Sequence, residues 1–191
     1  MFVLKYLAIG GGYLLVSYGS FLLLGGIENG HIALPILGLL LLYGWYALAR
    51  SESRKDNVPH PEWAVLLAHL PLLLCMLLDV TISHQISSDK ITWFYAWGMP
   101  LRLPVSMILK PMELLEGGGI LIEYGLTLLL LTAFFYMGQK EVPLKWYTMF
   151  LPALAVVLRE TGVLIDGWSQ FLLLLWPLWH SYEYWKWRRM G

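Results

Sequence analysis

The stretch Trp63–Ile82, WAVLLAHLPLLLCMLLDVTI, decides the fold. It carries one formal charge, Asp79, and runs for about 20 residues, the length a helix needs to cross a hydrocarbon core of about 30 Å. Leu clusters in blocks and does not alternate with polar residues, so the stretch is not a strand of a membrane barrel. Five further runs of the same kind are Phe2–Ile27, Ile32–Ala49, Gly119–Gly138, Trp146–Ile165 and Trp168–Trp185. The expected fold is therefore an all-α polytopic bundle of six transmembrane helices, occupying residues 1–191 as a single domain.

Composition points the same way. Of 191 residues 58% are hydrophobic and 14% charged, against about 45–50% and about 25% in soluble domains. Thirteen Lys+Arg balance thirteen Asp+Glu. That leaves no basic excess to hold nucleic acid and no acidic tail. The first run has only Lys5 as a basic residue and no small-residue cleavage site before Glu28-Asn29-Gly30, so it is expected to stay as a span.

The short loops set the expected orientation. Lys5, Arg50, Arg54, Lys55, Lys140, Lys145, Lys186, Arg188 and Arg189 fall on one side of a six-span arrangement, and Lys90, Arg102 and Lys110 on the other. Basic loops stay inside, so both termini are expected in the cytoplasm of a plasma membrane. The short loops suggest a bacterial one.

Ile91–Leu109, ITWFYAWGMPLRLPVSMIL, is apolar enough to offer a seventh span. Arg102 stands between Pro100 and Pro104, which break the backbone ladder of a lipid-exposed helix, and a seventh span would turn two basic segments outward. Residues 85–118 are accordingly read as an external connection with an interfacial or re-entrant segment.

Ionisable residues inside spans are expensive, so function is sought there first. Asp79, Glu123, Arg159 and Glu160 fall near the outer ends of spans three, four and five, in one depth layer onto which Arg102 can descend. These residues, with Trp93 and Trp97 as an aromatic wall, are the candidate ligand-binding set for a small polar solute or a lipid. The competing reading is structural: Arg159 pairs with Asp79 or Glu123 so that helices can pack, and Glu160 snorkels.

The histidines offer a weaker pattern. His69 and His84 are fifteen residues apart, roughly 22 Å along a helix, and match His180 and His31 in depth, as the ligands of two b haems would. Against this, fifteen residues rotate the ring off its starting face, and no small residues make room for a porphyrin. No metal site is expected.

Catalytic templates are missing. Cys75 is the single cysteine and reads as a buried small hydrophobe, which excludes a disulfide or a Cys-rich metal site. His69 and Cys75 are six apart and face away from each other, so they cannot act as base and nucleophile. Gly10–Gly12 and Gly117–Gly119 lack the context of phosphate loops.

Small residues in the first span, Ala8, Gly11, Gly12, Gly19, Gly25 and Gly26 with Ser17 and Ser20, permit close approach by another helix, within the chain or from a partner subunit. Ten Trp and eleven Tyr are expected mostly at the interfaces: Trp45, Tyr46, Trp63, Trp146, Tyr147 and 182–187 inside, Trp93, Tyr95, Trp97 and Trp168 outside. In layout alone the chain resembles the small substrate-capturing subunits of vitamin transporters. The expected function is solute or lipid binding or translocation; the alternative is a non-catalytic structural or regulatory subunit.

Overall fold

A computed structural model describes residues 1–24, 26, 30–56, 60–83, 100, 102–103, 105, 119–163, 175, 178–180 and 182–189. Among the described residues the regular structure is helical, without strands: α1 (Phe2–Leu24), α2 (Gly30–Asp56), α3 (Pro61–Ser83), α4 (Gly119–Gln139), a 3-10 turn (Trp146–Met149) and α5 (Phe150–Glu160). The first four are long and apolar enough to cross a membrane. They coincide with four of the six expected spans.

Helices α1 and α3 pack together, as do α2 and α4, and the ring closes through α3 against α4 and α1 against α2. Two glycines set the closest approaches. A Cβ on Gly10 would run into the Ala68 carbonyl oxygen and lie 3.2 Å from Pro71 Cδ, so α1 can meet α3 only without a side chain there. At Gly138 a Cβ would strike the Tyr46 carbonyl oxygen and stand 2.9 Å from the Ala49 Cβ, which fixes the α2–α4 contact in the same way.

The bundle inverts the pattern of a water-soluble protein. Leu15, Leu23, Leu66, Leu77, Leu121 and Leu129 point outward and are exposed, whereas Ser17, His69, Glu123, Thr127 and Gln139 are buried. Apolar outer faces on α1, α3 and α4, with Leu40 exposed on α2, leave much hydrocarbon for water to cover, and His69, Glu123 and Thr127 find inside the bundle the hydrogen-bond partners that lipid does not offer. The arrangement is compatible with a helical membrane protein.

One end of the bundle gathers basic residues. Lys5 Nζ is 2.6 Å from Glu52 Oε2, Arg54 Nη2 is 3.2 Å from Glu141, and the Ser53 hydroxyl donates to the Gln139 carbonyl at 3.0 Å. These contacts join the start of α1, the last turns of α2 and the end of α4. They also explain why α2 continues as helix through Arg50–Asp56, seven residues beyond the apolar run.

The fifth run is divided. Its first four residues form the 3-10 turn and α5 covers only 11 residues, about 16 Å. It ends in a Schellman motif: Gly162 adopts φ 70, its N–H donates to the Arg159 carbonyl at 3.0 Å, and Val163 N–H donates to the Leu158 carbonyl at 3.0 Å. Thr161-Gly162 is thus a helix stop inside a run that hydropathy alone reads as continuous. Of the sixth run, 175, 178–180 and 182–185 are described and helical, as is the continuation to 189. The His180 ring lies 6.3 Å from Phe134, on the last turns of α4.

Candidate functional site

Glu123 is in the second turn of α4, about 24 Å along the helix from Gln139 and hence from the basic end. Its Oε1 accepts a hydrogen bond from Arg102 Nε at 2.8 Å, an ion pair whose side chains are 3% and 8% exposed. Arg102 Nη1 donates to the Tyr124 hydroxyl at 3.0 Å, and its Cζ stands 4.4 Å from the centroid of the Tyr124 ring. The planar guanidinium therefore reaches two successive residues of α4, one through charge and one through its ring and hydroxyl. Thr127, one turn on, donates its hydroxyl to the Glu123 carbonyl at 2.7 Å.

The described part of the 91–109 segment is helical at Pro100, Arg102, Leu103 and Val105, and Pro100, Arg102 and Val105 are buried. Protein surrounds these positions, which accommodates the prolines and the charge. Among the described residues Arg102 and Glu123 are the candidate residues seen in contact. The structural alternative read from the sequence paired Arg159 with Asp79 or Glu123. It missed Tyr124, although an aromatic residue next to an intramembrane carboxylate is a signal for a guanidinium partner.

Arg159 is half-buried near the end of α5, and the principal neighbour of α5 is α2. Among the described residues the charge partner of Glu123 is Arg102. Asp79 is on α3 about 27 Å from Pro61, level with Glu123, and Glu160 ends α5. Their side chains lie outside the described residues, as do Trp93 and Trp97.

A second polar cluster sits nearer the basic end, and it is neutral. Trp45 Nε1–H donates to His69 Nε2 at 3.1 Å, and His69 Nδ1 is 2.7 Å from the Val65 carbonyl. The indole can only donate, so Nε2 accepts and the proton is on Nδ1, which donates to Val65. Tyr13 and Phe135 pack on Trp45 with ring centroids at 4.4 and 4.8 Å. Trp45 is 2% and Tyr46 1% exposed, so neither is the interfacial anchor its position near a span end suggested. The Tyr46 hydroxyl instead donates to the Val142 carbonyl at 2.6 Å and accepts from Leu144 N–H at 3.1 Å, tying the chain after α4 to α2.

This cluster does not fit a haem. Both ring nitrogens of His69 are engaged, and the cavity beside it, bordered by Gly10, Tyr13 and Trp45, measures about 10 Å³. That is at the lower limit for a single water. His84 and the side chain of His31 lie outside the described residues. Among the described residues no three His, Cys, Asp or Glu side chains are grouped as metal ligands.

Trp63 is 58%, Trp179 55% and Trp185 48% exposed, as interfacial aromatics are. Arg189 covers Trp185, with Cζ 3.5 Å from the ring centroid. Comparison with protein-family models, with curated proteins and with solved structures finds no match to this chain.

Proposed function

We propose that the chain is a multi-pass protein of a bacterial plasma membrane that binds, or helps translocate, a small polar solute or a lipid headgroup at the end of the bundle where Arg102 and Glu123 meet. The observation that supports this is the buried ion pair of the Arg102–Glu123–Tyr124 group inside the helical bundle. An ion pair is costly to bury and adds little net stability over apolar packing, so its presence calls for a role beyond holding the helices together. The guanidinium fork suits a carboxylate or phosphate, and Glu123 suits an ammonium or hydroxyl. A ligand with either group exchanges with the internal pair, and Asp79, Arg159, Glu160, Trp93 and Trp97 complete the surroundings. Basic residues gathered at the opposite end support an orientation with that end and both termini in the cytoplasm and this site toward the outside.

The test is ligand-induced thermal stabilisation of the purified protein against a panel of zwitterionic and anionic solutes and extracted lipids. Glu123→Gln keeps an acceptor for Arg102 while removing the charge. It should be less stable than the parent yet still fold, because the amide oxygen keeps accepting from Arg102, and it should lose the response, as should Arg159→Ala. An unchanged response in both variants rejects the reading.

The subunit alternative is favoured by one observation: Gly11, Gly12 and Gly19 on α1 have no described atom within 4 Å of where a Cβ would stand. Among the described residues Gly10 alone of the glycine triplet meets another helix. Such a face suits a partner helix. Co-purification of a defined membrane partner, lost in Gly12→Leu, supports it; a monodisperse monomer that responds to ligand counts against it.

A further inference from the structure

The last turns of α2 open on a cleft of about 440 Å³, lined by Tyr43, Tyr46, Arg50, Ser51, Arg54 and Lys55 among others. Residues 43, 46, 50 and 54 recur at three- and four-residue spacing and so form one face of the helix, with Ser51 and Lys55 beside it. Three cations line this face and no carboxylate does. Nearby acids are already engaged: Glu52 by Lys5 at 2.6 Å and Lys55 at 3.5 Å, and Glu141 by both Arg54 Nε and Nη2.

Arg50 differs from its neighbours. It makes no ion pair among the described residues. Its Nη1 donates to the Tyr46 hydroxyl at 3.1 Å, and its buried Nε has no hydrogen-bond partner. Tyr46 is itself fixed by Val142 and Leu144, so the guanidinium is held in place by a rigid neighbour while part of its donor set is unused. A planar cation pre-positioned in this way, with a second arginine one turn away and Ser51 also lining the cleft, has the chemistry of a phosphate site.

Depth identifies the source of the phosphate. From Ile32 to Arg50 the helix rises about 27 Å, close to the thickness of the hydrocarbon core, so Arg50 stands at headgroup level and Arg54 one turn beyond it. The geometry points to a binding site for the phosphate of an anionic lipid headgroup, with Arg50 as the phosphate ligand, Arg54 adding the part of its guanidinium that Glu141 does not take, and Tyr43 and Ser51 at its edge. This site is at the opposite end of the bundle from Arg102–Glu123 and does not depend on the function proposed there.

The experiment uses the full chain in detergent. Binding of short-chain phosphatidylglycerol, of phosphatidylcholine with the same acyl chains, and of inorganic phosphate is followed by thermal shift and native mass spectrometry. Phosphatidylglycerol should bind about tenfold or more tightly than phosphatidylcholine, and Arg50→Ala should remove most of that preference. Ser51 is exposed, so Ser51→Asp leaves the fold intact while placing a negative charge in the cleft. It should abolish phosphatidylglycerol binding even if Arg50→Ala proves unstable. Inorganic phosphate binding as tightly as the lipid supports the phosphate chemistry but overturns the lipid assignment. Equal binding of the two lipids, or full binding by Ser51→Asp, overturns the site.

Discussion

Near one end of α4 a guanidinium and a carboxylate face each other over Tyr124; twelve residues further along the same helix an indole and an imidazole meet against Phe135. Both groups are buried in apolar surroundings and both are hydrogen-bonded, yet they respond differently to loss of a partner. The Trp45–His69 pair is neutral, each atom has one defined role, and aromatic rings pack around it. It behaves as core. The Arg102–Glu123 pair carries full charges, so each member is tolerable only while the other is present. Buried neutral hydrogen bonds can serve structure alone, whereas a buried ion pair holds a charge that a competing ligand can claim.

The largest effect should come from separating the charges. Arg102→Ala strands Glu123 and is expected to cost about 3–5 kcal/mol of stability, read as a fall in melting temperature in detergent. Arg102→Met combined with Glu123→Leu should restore most of that loss; a double variant as unstable as the single one would show that the pair is required for folding. Trp45→Phe leaves His69 Nε2 without its donor and should cost about 1–3 kcal/mol, measured the same way. A loss as large as that of Arg102→Ala would erase the distinction between the two clusters. Tyr124→Phe removes one hydrogen bond but keeps the ring under the guanidinium, for about 0.5–1.5 kcal/mol. Gly12→Ala, on the open face of α1, should lie within about 0.5 kcal/mol of the parent, so any phenotype it shows in membranes reports on a partner.

Several elements were legible before any coordinates. Runs of about 20 apolar residues mark α1 to α4 to within a few residues at most ends, because helix length and hydrocarbon thickness are set by backbone geometry and the bilayer. The far end of α2 is the exception. Arg50–Asp56 reads as loop by hydropathy and is helix because Glu52, Ser53 and Arg54 find partners on α1, at the end of α4 and just beyond it. Gly162 was visible as a glycine, but only its positive φ and the two hydrogen bonds of the motif show that it stops α5. Glu123 was legible as a costly intramembrane charge. Its partner was not, since Arg102 is 21 residues away on a segment whose return to the bundle no local pattern encodes.

The sequence by itself determined an all-helical fold among the described residues, with the positions of four helices apolar and long enough to cross a membrane and the residues whose charge demands an explanation, because those follow from local hydropathy and the cost of burial. Tertiary structure alone decided which charge meets which, that Trp45 and Tyr46 are core and not interface, that Gly10 and Gly138 are the points of closest helix contact, and that three cations of α2 share a cleft. Each of these depends on the rotation and neighbour of a helix. A uniformly apolar helix surface gives little sign of its inward face until another helix packs against it.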